Sequence, residues 1–313
     1  MATEPHPQVR ALLDMLDEQN TPPTYGVSPE AAREQYVALT EMMEPTEVGD
    51  VQDFAIEGPD GAIPVRAYVP DGEGPFPVLV YYHGGGWVIG NLDTHDNVCT
   101  GLCARAEVVV LSVDYRLAPE HPFPAQLEDA YAAAEWATEF AGDIAGDPDR
   151  VAVGGDSAGG NLTAAVTLMA NDRGGPDLAH QVLIYPAVAS PAVHEFDSYE
   201  ENAEGYFLER PSMEWFYGKW VQSEAHARNE YLAPLLARDL SGLPPATVVT
   251  AGFDPLRDEG AEYAERLTEA GVDVHHEHYE EMIHGFVQMM EMVDAGDEAV
   301  DVVAEELSAS LRE

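Results

Sequence analysis

Apolar positions follow two different periods along the chain. Between residues 8 and 43 they recur at helical spacing, first as Val9, Leu12, Leu13 and Leu16 and then as Ala32, Tyr36, Leu39 and Met43, which predicts two amphipathic helices. Ser28 followed by Pro29 marks the start of the second, since a serine side chain can cap the first turn and proline needs no N–H there. From Val51 the pattern shortens to strands, with turn signals at Pro59-Asp60-Gly61 and Asp71-Gly72. Apolar runs at residues 78–82, 108–113, 151–153, 182–185, 247–251 and 272–279 then alternate with helical spacing, as at residues 127–140, 162–170 and 260–270. This alternation predicts an α/β fold, a mostly parallel sheet with helices on both faces. Right-handed crossovers bring the strands' carboxyl ends to one edge, where loops can gather a site. Between residues 190 and 231 the alternation stops, and Tyr199, Tyr206, Phe207, Trp215, Phe216, Tyr217 and Trp220 crowd an acidic stretch. That stretch reads as an insertion whose rings either pack it onto the core or line an apolar pocket.

Composition narrows the class of protein. With 45% hydrophobic residues, 313 residues can bury a large core despite 58 acids against 14 bases. A formal charge of -44 repels nucleic-acid phosphates and anionic lipid, so neither is an expected partner. The bases are 13 arginines and one lysine, Lys219, and the acids run along the whole chain. Such a charge far exceeds the roughly 2–8 that keeps a small domain soluble. It suits molar salt, where the Debye length falls to about 3 Å, and resembles proteins of organisms that hold such salt in the cytoplasm. Cys99 and Cys103, four apart on one helical pattern, read as buried free thiols. The first ten residues lack the features of a signal peptide and no apolar run reaches membrane-spanning length, so a soluble cytoplasmic protein is expected.

Two glycine-rich motifs carry candidate chemistry. Gly155-Asp-Ser-Ala-Gly159 lies between a short strand and a helix starting near Leu162, the context in which a nucleophilic serine occupies a strained turn. The spacing fits neither a phosphate-binding Walker loop nor a dinucleotide fingerprint. His83-Gly-Gly-Gly-Trp87 follows the strand at residues 78–82, and consecutive glycines there leave backbone N–H groups free to converge on one oxygen. Gly85 and Gly86, with the N–H of Ala158 after the serine, are the expected oxyanion donors.

A nucleophilic Ser157 needs a base and a carboxylate to orient it, in the chain order serine, acid, histidine. Asp254, just past the strand at residues 247–251, and His284, in the loop after the last strand, meet that order at strand carboxyl ends. Asp258 competes as the acid but falls inside the following helix. His275, His276 and His278 invite a metal reading, yet they lie on a strand, His276 and His278 on one face, without the remaining ligands of a known set. Asn161-Leu-Thr163 matches a glycosylation sequon only formally, at the start of a packed helix.

Together with Asp114-Tyr-Arg-Leu-Ala-Pro-Glu-His-Pro-Phe-Pro-Ala125, Asp254-Pro-Leu-Arg-Asp-Glu-Gly260 and His284-Gly-Phe286, these motifs resemble the hormone-sensitive-lipase family of α/β-hydrolases over about residues 50 to 310. The resemblance implies an α/β-hydrolase fold and hydrolysis of small-molecule carboxylic esters without metal or organic cofactor. It also implies cap helices over residues 1–48, a catalytic core in two parts (49–189 and 232–313) and a cap insertion at 190–231. Cis peptide bonds at Ala118-Pro119 and Phe123-Pro124, and a tendency to form homodimers, are further family expectations. Amide or formamide hydrolysis on the same residues stays open as an alternative. A non-catalytic ligand-binding homologue is the weaker one, because family receptors lose the histidine that is present here as His284.

Overall fold

The computed structural model describes residues 2–312. Eight strands form one sheet in the order β1-β2-β4-β3-β5-β6-β7-β8. The hairpin β1 (Asp50–Gly58) and β2 (Gly61–Val69) turns at Pro59-Asp60 and is antiparallel, as is β2 against β4. The strands β3 (Phe76–Tyr82), β4 (Val109–Val113), β5 (Gly146–Asp156), β6 (His180–Ile184), β7 (Ala246–Phe253) and β8 (Val274–Ile283) are parallel. Each predicted apolar run is therefore a strand of the parallel part.

Successive strand residues point to opposite faces, so β3 sends Val78, Val80 and Tyr82 to one core and Leu79 and Tyr81 to the other. Helices α4 (Ala125–Phe140), α5 (Ala158–Arg173) and α8 (Arg257–Glu269) cover the first face. The opposite face is covered by α3 (Asp96–Ala106) and α9 (Asp294–Ser310). Both cysteines are free and buried on α3. Helix α5 is buried from Ala158 to Ala170, which explains its lack of a polar stripe.

The predicted N-terminal helices are α1 (Pro7–Glu18) and α2 (Pro29–Thr40), and Ser28 caps α2 by accepting from Ala31 N. The 190–231 stretch holds α6 (Asp197–Glu201) and α7 (Arg210–Trp220). Both segments wall a cavity at the sheet's carboxyl edge. Ala118-Pro119 and Phe123-Pro124 are cis, as are Gly74-Pro75 and Gly175-Pro176. No helix among the described residues is long and apolar enough to cross a membrane.

Candidate active site

Ser157 is the single residue between β5 and α5, with φ 55° and ψ -114°, a region that L-residues rarely occupy. Its N–H donates to the Ile184 carbonyl at 2.9 Å, and its own carbonyl accepts from Asn161 N at 3.0 Å and Ala187 N at 3.2 Å. Only glycine fits beside it. A β-carbon on Gly155 would lie 2.3 Å from the Tyr82 carbonyl oxygen, and one on Gly159 only 1.8 Å from the same atom. The helix starts at Ala158, four residues before the expected Leu162, because one strained residue makes the whole turn. The glycines that look like loop are its first turn. Asn161 is buried there, its amide donating to the Ala187 and Leu232 carbonyls, so the sequon is inaccessible.

The ends of β7 and β8 complete a hydrogen-bonded chain. Asp254 follows β7, fully buried, and accepts from Leu256 N through Oδ1. Its Oδ2 lies 2.8 Å from His284 Nδ1, and His284 Nε2 lies 2.9 Å from Ser157 Oγ. A carboxylate only accepts, so Nδ1 carries the proton and Nε2 is left as an acceptor facing the serine hydroxyl. Asp258 is elsewhere: it sits on α8, paired with Arg257 and accepting from Ser198 N. The three strand histidines are also remote. His276 and His278 share the Thr250 hydroxyl, while His275 lies near Glu277 and Glu306.

At the end of β3, Gly85 (φ 113°), Gly86 (φ 58°) and Trp87 (φ 61°) are all left-handed. The Gly85 carbonyl accepts from Val88 N and Ile89 N, which folds the loop back on itself. Among the described residues none accepts from the N–H of Gly85, Gly86 or Ala158, and all three residues line the cavity with Ser157 and His284. Gly84 N, by contrast, donates to Asp156 Oδ1 at 2.9 Å. The same carboxylate accepts from the Tyr81 hydroxyl and lies 3.2 Å from His95 Nε2. Burial would raise the Asp156 carboxyl, but His95 and Tyr81 outweigh it and hold it below the usual carboxylate range. Burial and the neighbouring His95 bring His83 down to about 3, so its ring is neutral and Nδ1–H donates to the Gly84 carbonyl.

The cavity measures about 720 Å³. Tyr36 and Leu39 of α2 face it, as do Tyr199, Tyr206, Phe207, Phe216 and Tyr217, whereas Trp215 and Trp220 do not. Its acids are Asp17, Asp156, Glu209 and Glu259, and its lining includes no lysine or arginine. Glu259 is buried beneath Tyr199, whose hydroxyl donates to it, with Ala189 N as a second donor. Burial pushes its carboxyl up to about 7.

A family model described as the alpha/beta hydrolase fold matches residues 79–288, the stretch that holds Gly85, Gly86, Ser157, Ala158, Asp254 and His284. The chain belongs to the hormone-sensitive-lipase-like α/β-hydrolases. It is similar to the carboxylic ester hydrolase LipN of Mycobacterium tuberculosis, at 46% identity over 84% of this chain and 71% of that one. Among solved structures, an ester hydrolase from the metagenome of Lake Arreo, complexed with a bipyridine phosphonate derivative, superposes with a TM-score of 0.94 at 42% identity over 97% of this chain and 98% of that one. A hyperthermophilic esterase of Pyrobaculum calidifontis does so at 0.94 and 40% identity over 98% and 99%.

In this α/β-hydrolase the structure brings Ser157, Asp254, His284, Gly85, Gly86 and Ala158 to one place, while sequence reasoning misses what surrounds them. Asp156, next to the serine in sequence, fixes Gly84 through its carboxylate. Tyr81 and His95 carry no signal, being an apolar-strand residue and a loop histidine. Gln288 links Tyr36 of α2 to the Thr94 carbonyl, and its place two residues after Phe286 is the only hint.

Proposed function

We infer that this carboxylic ester hydrolase is a serine esterase that works through an acyl-enzyme in high salt. The carrying observation is the Asp254–His284–Ser157 chain at 2.8 and 2.9 Å. Ser157 Oγ attacks the ester carbonyl as His284 Nε2 takes its proton, and Asp254 stabilises the resulting imidazolium. The carbonyl oxygen becomes an anion and is met by the N–H groups of Gly85, Gly86 and Ala158. Collapse expels the alcohol, which leaves with the His284 proton. Water then attacks the acyl-serine with His284 again as base, releasing the acid and restoring the Ser157 hydroxyl.

Residues 1–48 and 190–231 act as a cap over the core formed by 49–189 and 232–313, because both segments wall the cavity above Ser157. A lining with four acids and no lysine or arginine favours neutral esters of short to medium chain over carboxylate-bearing ones. The salt adaptation is supported by how the few arginines are used. Arg66 alone serves Asp53, Asp93 and Asp96, and Arg116 serves Asp60, Glu128 and Asp129. A fork of five donors can satisfy several carboxylates at once, but the remaining surplus of acids needs dissolved cations to screen it.

The test is a chain-length series of chromogenic esters with matched anilides, in KCl from about 0.1 to 2 M, where the Debye length falls from about 10 Å to below about 3 Å. Ester turnover should vanish in Ser157→Ala, anilides should react far more slowly, and the melting temperature should climb with KCl. Anilide turnover matching that of esters would transfer the reading to amide hydrolysis. A melting temperature flat across the salt range would remove the halophilic part.

A further inference from the structure

The oxyanion loop is gripped from outside the cavity by both cap segments. From α2, Arg33 Nε donates to the Val88 carbonyl at 2.8 Å and Arg33 Nη2 to the Ala118 carbonyl at 3.0 Å, while its fork is held by Glu120 at 2.8 and 2.7 Å. Ala118 N in turn donates to the Trp87 carbonyl at 2.9 Å, so two consecutive loop carbonyls are fixed through one guanidinium and the segment it binds. From α7, the Trp220 ring stacks on Trp87 with centroids 3.7 Å apart and planes 8° from parallel. Trp220 is itself anchored: its indole N–H donates to Gln126 Oε1 at 3.1 Å and its carbonyl accepts from Phe123 N at 3.0 Å. Neither Arg33 nor Trp220 lines the cavity.

The loop needs such a grip. Gly86 and Trp87 are consecutive left-handed residues, and for a tryptophan that conformation is strained and persists only where its surroundings over-determine it. If Trp87 relaxed, the peptide planes just before it would turn and carry the Gly85 and Gly86 N–H groups off the carbonyl oxygen. Donors of this kind work because they are already aimed where charge develops, and a misplacement of about 1 Å can cost about 10²-fold.

We propose that Arg33 and Trp220 are positioning residues for the oxyanion loop, through which the two cap segments set turnover without touching the reacting atoms. This rests on the serine-esterase reading above. The clamp acts on the transition state, where the carbonyl oxygen is charged, and hardly on the neutral bound ester.

The experiment compares Arg33→Gln, Arg33→Lys, Trp220→Phe and Trp220→Ala with the unaltered chain on one neutral ester, as kcat and KM per site titrated with a phosphonate. Affinity for an aliphatic trifluoromethyl ketone, which forms an oxyanion on the serine, is measured alongside. Arg33→Gln should lower kcat about tenfold with KM within about twofold, and weaken the ketone by the same factor, less than the about 10²–10³-fold cost of deleting a donor. Arg33→Lys should recover part of the loss, Trp220→Phe most of it, and Trp220→Ala should lose about 10–10²-fold. Arg33→Gln lies on a partly exposed side chain, so it decides the matter if Trp220→Ala does not fold. Unchanged kcat in Arg33→Gln, a rise in KM alone, or a fall in kcat with wild-type ketone affinity would each overturn the clamp. An unaltered chain inert to esters and phosphonate would instead defeat the esterase reading itself.

Discussion

Left-handed residues other than glycine occur at both ends of the parallel sheet, and they do opposite things. At the amino end Glu107 (φ 53°) closes α3 before β4, and Ala145 (φ 58°) closes the short helix before β5. Both are exposed, and each simply stops a helix, a role glycine fills more cheaply. At the carboxyl edge Trp87, Ser157 and Tyr185 (φ 34°) are strained among buried groups: Asp156, Asp254, His83 and His284. There the backbone is locked by specific bonds, such as Ser157 N to Ile184 O and Tyr185 N to Val249 O. The same dihedral is thus incidental punctuation at one end and stored geometry at the other. What separates the two is whether neighbours over-determine it.

The largest effect is expected at the carboxylate beside His284. Asp254→Asn, which leaves the histidine in the wrong tautomer, should lower kcat by about 10⁴. Double substitutions within Ser157, Asp254 and His284 should be little worse than the worst single one. Asp258→Asn, on α8 and bonded away from the site, should keep near-normal turnover. The reverse pattern in steady-state rates would show that the wrong carboxylate has been assigned.

Next in size is the loop. A β-carbon on Gly86 would meet the Phe216 ring at 2.3 Å in a left-handed residue, so Gly86→Ala should cost about 10²–10³-fold in kcat with much less loss of melting temperature. Loss of binding with turnover per bound substrate preserved would make the loop a plain pocket wall.

At the amino end the expected effects concern stability and leave turnover alone. His180 opens β6, held between the Thr247 and Ser310 hydroxyls, and burial brings it from 6.5 down to about 4. Its folded affinity for protons is below its unfolded one, so the stability it contributes is present above 6.5 and is lost as pH falls toward about 4. Urea unfolding should show a smaller loss from pH 7 to 5 in His180→Gln than in the unaltered chain. His83, brought down to about 3, keeps part of the slope in both. Equal slopes would mean that His180 gains its proton without cost to the fold. Smallest of all, Glu107→Gly should raise stability by up to about 1 kcal/mol, since glycine escapes the left-handed penalty, with kcat unchanged. A changed kcat would erase the distinction between the two ends.

Much of the carboxyl edge is legible in the amino-acid order alone. The runs at residues 78–82 and 247–251 form β3 and β7 because strands buried on both faces need uninterrupted apolar sequence. Ser157, Asp254 and His284 stand out because a turn of this sharpness requires glycines nearby and the chemistry requires a fixed residue order. What stays hidden depends on contacts between distant segments. Arg33 meets Val88 across 55 positions and Trp220 meets Gln126 across 94, and on their own helices both look like ordinary surface or packing residues. The start of α5 is hard to place because Gly159 and Gly160 carry loop chemistry in isolation, while close approach to Tyr82 and Pro186 is what demands them. Which rings of the 190–231 stretch face the cavity likewise follows from the packing of α6 and α7, not from their composition.

The most direct measurement is covalent labelling with a p-nitrophenyl alkylphosphonate, read by released nitrophenol and by peptide mass. About one equivalent should be released per chain, with the added mass on the peptide containing Ser157, no reaction in Ser157→Ala, and strong slowing in His284→Ala. A label on another residue, or stoichiometric release from Ser157→Ala, would contradict it.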